Sequence, residues 1–314
     1  PMARNVGESL GVGATLTFFD AAGQPLKVAD RYPSSVRVRD LNTIEQALQR
    51  LKPPVWPEPL FGPVNKPLAA QGRALFAENC AGCHVPPKSV VDGRTVQYLH
   101  MIPVAEIGTD PNTANNIADN HYDVSALKWT QAELDQLTNV KLDKSANPLD
   151  TRSVTSAKAL AYITAYVENN AYNAANVPVA ERPAMDGFGL PIAVQELRAY
   201  KARPLDGIWA TPPFLHNGSV PTIYQLLSPQ DERSTTFYKG TFNYDPLHLG
   251  YETGAFKNAF LFDTAISGNH NSGHEFRDGK RGNGVIGRGL LPQERWALVE
   301  YLKVLGGPLE QQLP

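Results

Sequence analysis

The sequence predicts a mainly α-helical fold with long irregular loops and little strand. Helical spacing of apolar residues occurs in segments 67–81, 156–169 and 292–305, and only a few short stretches alternate as strands do. The chain also contains 25 glycines and 26 prolines among its 314 residues. So much glycine and proline predicts irregular loops laid over a helical scaffold, and loops are where function concentrates.

Composition excludes several classes of protein. Hydrophobic residues make up 42% of the chain and charged residues 19%, and 29 Lys and Arg balance 31 Asp and Glu. This composition argues against a disordered tail and against a basic nucleic-acid-binding protein. No apolar run approaches the roughly 18 residues that a membrane-spanning helix needs. The first residues, PMARNVGESLG, show no secretory signal pattern.

Residues 1–60 read as a lead-in and linker segment, a remnant of an inter-domain region. A strand is predicted at 14–19 and a short helix at 43–51, and the segment closes with KPPVWPEPLFGP. Clustered prolines favour an extended linker, because each fixes its own φ and biases the residue before it away from helix. We therefore predict a domain boundary near residue 60, with one domain over 61–314.

The helices that follow are predicted from capping and periodicity. A helix at 67–81 has a proline in its first turn, and TQAELDQL at 130–137 opens with a capping-box pattern. Segment 156–169 places Leu160, Ile163, Tyr166 and Val167 on one face. Weaker helical turns are predicted at 193–201 and 222–227. The last helix, 292–305, begins with Pro and ends at a Gly pair.

The chemical signal is the segment CAGCH, in which Cys80 and Cys83 are the only cysteines of the chain and His84 follows them. The pattern C-x-x-C-H is typical of covalent c-type haem attachment, where each thiol bonds one vinyl group and the histidine is the proximal iron ligand. Three other interpretations are a redox disulfide, half of a zinc site and chance. A zinc site needs further Cys or His ligands, and a thioredoxin-like motif needs a βαβ context that this segment lacks.

The helix that leads into CAGCH and the C-terminal helix resemble the two packed terminal helices of a class I cytochrome c. The predicted fold is therefore a class I cytochrome c-like helical core. The segment RPLDGIWATPPFLHNGSVPT (203–222) is similar to the T-A-P-Y-x-H-[DN]-G-S-x-x-T-L motif of the bacterial di-haem cytochrome c peroxidase superfamily. Together with FYKGTFNYDPLHLGY and NSGHEF, it most resembles the rubber-oxygenase-like branch of that superfamily, over most of residues 60–314.

Members of that superfamily carry two haems, each with its own C-x-x-C-H motif, whereas this sequence has one. The resemblance aligns CAGCH with the second, C-terminal haem. It therefore implies one covalent haem c and its iron, an electron-relay role, and a second haem domain or another redox protein as partner. Peroxide, dioxygen or polyisoprene would then react at the partner haem.

The resemblance also suggests the second axial ligand of the iron. In class I cytochromes that ligand comes from a loop shortly before the C-terminal helix, and here the loop GNHNSGHEFRDG contains His270 and His274. The H-E-F context of His274 matches the rubber-oxygenase-like pattern, so His274 is the first choice and His270 the second. The three methionines, Met2, Met101 and Met185, match no ligand motif.

Three further residues are predicted to lie against the haem. The resemblance implies that His216 lies near the propionates, although a satisfied loop histidine is the plainer alternative. Arg203 is a candidate propionate partner, because a guanidinium can hold a carboxylate with two hydrogen bonds. Trp209 lies inside the motif and is a candidate for haem-pocket packing or electron relay.

Three functions compete at this point. The first is the electron-transferring half of a di-haem oxidoreductase of peroxidase or dioxygenase type. The second is a free-standing mono-haem electron carrier, and the third is a structural module without haem. Covalent haem is attached on the outer side of the bacterial cytoplasmic membrane, so the resemblance implies a periplasmic or secreted protein.

Overall fold

The computed structural model describes residues 2–91, 93–127, 150–187 and 197–314. Within them, the helices are α1 (Met2–Gly11), α2 (Val28–Arg31), α3 (Val38–Leu48), α4 (Glu58–Phe61), α5 (Lys66–Asn79), α6 (Ala81–His84), α7 (Val104–Ile107), α8 (Asn112–Asp119), α9 (Ser156–Ala174), α10 (Arg182–Met185), α11 (Ile223–Leu226) and α12 (Pro292–Leu302). Short 3₁₀ turns lie at Ser125–Leu127, Ile208–Ala210, Gln230–Glu232 and Glu310–Gln312.

The strands of the described residues form two-stranded sheets. They are β1 (Lys88–Val91), β2 (Arg94–Gln97), β3 (His100–Pro103), β4 (His121–Tyr122), β5 (Val154–Thr155), β6 (Ala199–Ala202), β7 (Thr236–Lys239), β8 (Tyr244–Asp245), β9 (Gly250–Tyr251), β10 (Phe260–Asp263), β11 (Glu275–Phe276) and β12 (Val285–Gly287). The antiparallel pairs are β1–β2, β3–β6, β4–β5, β7–β10 and β8–β9, and β11 pairs with β12 in parallel.

The predicted mainly α, class I cytochrome c-like fold with little strand is wrong. Among the described residues, 38% are helical and 15% lie in strands, so helix does not dominate. The strands escaped prediction because each is only two to four residues long, too short for a period of two to be recognised. Pairing over long sequence separations adds to this, since β3 pairs with β6 about a hundred residues later.

The described residues divide into two compact units. Unit 1 contains residues 1–51 and 115–197, and unit 2 contains 52–114 and 198–314. In unit 1, α1 packs against α3 and α9, and the buried core includes Met2, Val6 and Val167. The predicted domain boundary near residue 60 stays a prediction.

Helix α9 extends the predicted 156–169 helix by five residues and begins at an N-cap, where the Thr155 hydroxyl accepts from the Lys158 amide. Of the predicted apolar face, Val167 is fully buried but Leu160 is half exposed, because the buried face also takes in Tyr162 and Glu168. The predicted helix at 130–137 lies outside the described residues.

Unit 2 is built around the crossing of α5 and α12. Asn65 caps α5 by accepting from the Leu68 amide, and Glu294 holds the start of α12 by accepting from the Leu291 amide. The helices touch where Gly72 lies against Ala297, and the rings of Phe76 and Tyr301 pack 5.4 Å apart beside that point. The predicted terminal helices are thus present and packed together.

Two weaker helical predictions had different outcomes. The turn at 222–227 is confirmed as α11, capped by the Thr222 hydroxyl, which accepts from the Gln225 amide. The turn at 193–201 is wrong over its described part, because residues from Ala199 pair with β3 as strand β6. Among the described helices, none has both the length and the apolar character needed to cross a membrane.

Candidate functional site

The CAGCH segment begins where α5 ends. The amide of Cys80 still donates to the Phe76 carbonyl, and the chain then makes the single turn α6, in which the His84 amide donates to the Cys80 carbonyl. Both thiols are free, with Cys80 half-buried and Cys83 exposed. Burial, together with the nearby Cys83, raises the pKa of the Cys80 thiol to about 12. One turn of helix therefore presents both thiols and the histidine from one short segment.

His84 is fixed by a main-chain oxygen. Its Nδ1 lies 2.7 Å from the carbonyl oxygen of Arg203, which can only accept, so Nδ1 carries the hydrogen and Nε2 is left with a lone pair. Burial lowers the pKa of His84, although the hydrogen bond to Arg203 opposes the effect. A neutral imidazole held through Nδ1 is the form in which histidine binds a metal.

His274 lies close to His84. The two ring centres are 6.2 Å apart, and the planes are inclined by 63°. Burial, followed by electrostatic repulsion from the neighbouring His84 and Arg233, lowers the pKa of His274 to about 3, so this ring is neutral. Its Nδ1 is buried and has no hydrogen-bond partner among the described residues.

The distance between these rings leaves room for one metal atom that both would bind. A metal–imidazole bond is about 2.0 Å long, so the centres of two rings that bind one metal lie several ångströms apart, and here the centres are 6.2 Å apart. In the described part of the chain no three or more His, Cys, Asp or Glu side chains gather to hold a metal ion. A haem iron takes four of its ligands from the porphyrin, so two histidines and two thiols fit the group.

The segment that presents His274 is held by an unusual turn. Gly273 and His274 both have positive φ, +72° and +49°, a conformation that non-glycine residues rarely adopt. A Cβ on Gly273 would lie 2.2 Å from the carbonyl carbon of Gly108, so the two backbones touch. The His274 amide donates to the Ile107 carbonyl at 2.9 Å, which fixes the turn against the 107–110 segment.

The motif around His216 braces the same region. The side-chain Nδ2 of Asn217 donates to the carbonyls of Gly268 and His270, and the Ser219 hydroxyl donates to the carbonyl of His270. Asp110 adds a second brace, because its buried Oδ2 accepts from the amides of Gly268 and His270. The side chains of Asn217 and Ser219 therefore hold the backbone of the loop that precedes His274 by hydrogen bonds.

The remaining predicted site residues take several positions. The His270 ring pairs with Asp110, whose Oδ2 lies 2.9 Å from its Nδ1, whereas the ring beside His84 is that of His274. His216 is exposed and stacks on Tyr200, with ring centres 3.9 Å apart. Arg203 meets His84 through its main-chain oxygen, and its side chain is exposed.

Trp209 is buried, 5.2 Å from the ring of Trp56. Its indole Nε1 is also buried and has no hydrogen-bond partner within the described residues. A buried hydrogen-bond donor without an acceptor is rare, and a bound ligand atom could accept a hydrogen bond from this one. The roles of Trp209, His216 and Arg203 toward a haem stay predictions.

Sequence reasoning missed Arg233 and Asp110. Both are buried, at 4% and 1% exposure, and both bind the backbone of the 268–274 loop. Their partners are main-chain atoms, which leave no residue pattern to recognise. A charged residue that folds inward inside a polar stretch such as DERS looks like ordinary surface from the sequence.

Residues 199–238 match a protein-family model described as RoxA-like, cytochrome c-like. That match covers the LHNGS segment and supports the predicted relationship to rubber-oxygenase-like cytochromes c. A cytochrome c-like domain indicates haem c and electron transfer. The predicted place in the wider di-haem peroxidase superfamily stays a prediction.

Two proteins of Sinorhizobium fredii (strain NBRC 101917 / NGR234) are similar to nearly the whole chain. The uncharacterized protein y4iJ is 41% identical over 331 residues, covering 97% of this chain and 51% of its own length. The uncharacterized protein y4iM is 28% identical over 285 residues, covering 86% of this chain and 55% of its own length. The chain therefore spans about half the length of the curated relatives it matches.

Proposed function

We propose that this chain is the electron-transfer half of a di-haem oxidoreductase. One haem c would be held covalently by Cys80 and Cys83, and His84 and His274 would bind its iron. The observation that carries the proposal is the placement of two imidazole rings with centres 6.2 Å apart, one of them inside a C-x-x-C-H segment. The RoxA-like, cytochrome c-like match at 199–238 supports it independently.

Cys80, Cys83 and His84 have separate tasks in this function. The thiols of Cys80 and Cys83 would each bond one vinyl group and so hold the cofactor covalently. His84 offers Nε2 because the Arg203 carbonyl occupies its Nδ1. When bound, haem c supplies one iron that alternates between the ferric and ferrous states.

His84 and His274 would together leave no place on the iron for an exogenous molecule. With both histidines in place, the site would transfer electrons and would not bind peroxide or dioxygen. The chain therefore relays electrons to or from a second haem site, where peroxide, dioxygen or a polyisoprene would react. The length of the curated relatives, about twice the span matched here, supports a partner domain in the same polypeptide. Covalent attachment outside the cytoplasm makes the protein periplasmic or secreted.

The test is the absorption spectrum of the chain made in a bacterium that attaches c-type haem. Haem staining on a denaturing gel should persist in the wild type and be lost when Cys80 and Cys83 are both changed to Ala. The ferric spectrum should be low-spin and should not change on adding hydrogen peroxide. His274→Ala should become high-spin and return to low-spin with added imidazole.

His270→Ala is the matched control, because His270 lies four residues away in the same loop and is held by Asp110. It should keep the low-spin spectrum. A wild type that is already high-spin and reacts with peroxide would refute the relay function. A spectrum that changes in His270→Ala but not in His274→Ala would refute the ligand assignment.

A free-standing mono-haem carrier is the alternative function. Its distinguishing property is rapid electron exchange with small soluble cytochromes in the absence of any partner domain. Stopped-flow reduction of the chain alone tests it, and fast reduction by several unrelated donors would favour the carrier.

A further inference from the structure

Arg233 is a buried guanidinium whose every donor meets a backbone oxygen. Its five N–H groups make five hydrogen bonds at 2.6–3.4 Å. The five acceptors are the carbonyl oxygens of Leu226, Ser228, Asn271, Gly273 and His274. Because Arg has no other donors, its hydrogen-bonding capacity is fully used by the backbone.

The acceptors fall into two groups. Leu226 and Ser228 lie at the end of α11, where carbonyl groups have no partner within the helix. The other three lie in the four-residue stretch 271–274, which ends at His274. One side chain therefore ties a helix end to the segment that presents the iron ligand.

The 271–274 segment contains a backbone conformation that requires support from surrounding hydrogen bonds. His274 has φ of +49°, a backbone conformation that costs a non-glycine residue of order 1 kcal/mol or more and persists only when its surroundings hold it. Both main-chain polar groups of His274 are held, the amide by the Ile107 carbonyl and the oxygen by Arg233 Nη2. With both ends of the residue fixed, the direction of its Cβ and ring is fixed as well.

We propose that Arg233 is a positioning residue for the distal iron ligand, holding the 271–274 backbone in the single conformation that faces His274 toward His84. This inference rests on the proposed function, because it assigns Arg233 a role toward the histidine that closes the iron. With the loop held by Arg233, His274 would stay on the iron, whereas a loosened loop would let it leave.

The experiment measures the fraction of protein in which His274 has dissociated from the iron. Cyanide binds a six-coordinate ferric haem only after a ligand dissociates, so its binding rate follows the open fraction. Arg233→Lys keeps the charge but has only three donors and no fork, and Arg233→Gln removes the charge as well. We expect both folded variants to bind cyanide at least tenfold faster than wild type, and to gain a high-spin fraction that grows on warming below the unfolding transition.

Arg295→Lys is the matched control. Arg295 is equally buried in the same unit, but it donates to Leu290, Ser228 and Glu232 and does not touch the 271–274 loop. It should lower the melting temperature without changing the cyanide rate or the spin state. If Arg233→Gln does not fold, Arg233→Lys alone decides.

The outcomes distinguish failure of the role of Arg233 from failure of the proposed function. Wild-type cyanide rates in a folded Arg233→Lys, or an equal increase in Arg295→Lys, would overturn the positioning role while leaving the iron ligands in place. A high-spin wild type, or a His274→Ala variant that stays low-spin, would overturn the proposed function itself, whatever the Arg233 variants do.

Discussion

The crossing of α5 and α12 gives a sharp prediction at Gly72. A Cβ built there would lie 1.9 Å from the carbonyl oxygen of Ala297 and 2.8 Å from the Cβ of Tyr301. A carbon and a carbonyl oxygen normally approach no closer than about 3.3 Å. Gly72→Ala therefore forces the two helices apart by more than 1 Å.

The magnitude follows from two opposing effects. Separation by about 1 Å forfeits a quarter to a half of each dispersion contact across the crossing, including that of Phe76 with Tyr301, and overpacking of this kind costs roughly 3 kcal/mol or more. Alanine gains about 1 kcal/mol over glycine within a helix. We expect a net loss of about 2–3 kcal/mol in the free energy of unfolding of unit 2, or a fall of about 5–10 °C in melting temperature.

Thermal unfolding followed by far-ultraviolet circular dichroism and by haem absorption measures this loss. Gly254→Ala is the control, because a Cβ at Gly254 meets no atom within 4 Å. It should change the stability of the same unit by less than about 0.5 kcal/mol. A Gly72→Ala protein that melts within 2 °C of the wild type would refute the close crossing.

Three further predictions concern other parts of the chain. Burial and a neighbouring carboxylate raise the pKa of Glu168 to about 8, so the native state keeps a proton that the unfolded chain loses near pH 4.5. Stability should therefore fall by about 2 kcal/mol as pH rises from 6 to 8, and Glu168→Gln should remove that dependence in urea titrations. Asn217→Ala removes two donors to the 268–270 loop and should cost about 2 kcal/mol by urea unfolding. Gly273→Ala should displace the backbone that touches Gly108 and produce a high-spin fraction in the ferric absorption spectrum.

Each of these has a result that contradicts it. A free energy of unfolding that stays constant or rises between pH 6 and 8 would show that Glu168 does not keep a proton in the native state. An Asn217→Ala variant as stable as the wild type would mean that the two hydrogen bonds contribute nothing. A fully low-spin Gly273→Ala would mean that the turn before His274 tolerates a side chain.

The sequence predicted those parts of the site that are encoded locally. Cys80, Cys83 and His84 lie within the one short motif CAGCH, and His274 lies in a recognisable H-E-F context. The helices that became α5 and α12 carry proline at the start and helical spacing of apolar residues, so their prediction needed no tertiary information.

The rest depended on contacts between distant segments. The β3–β6 pair joins residues about a hundred positions apart. Each strand is too short to show a recognisable alternation of apolar and polar residues. Arg233 and Asp110 act through main-chain atoms, so the type of residue at the acceptor position carries no signal. The weight of strand in the fold and the bracing of the His274 loop were both invisible for this reason.

We propose that His84 and His274 both bind one covalently attached iron. Near-infrared magnetic circular dichroism of the ferric protein tests this ligation most directly, because the energy of the porphyrin-to-iron charge-transfer band identifies the pair of protein ligands. We expect the band of two neutral imidazoles in the wild type and its loss in His274→Ala. A band typical of methionine with histidine, or a high-spin wild-type spectrum, would contradict it.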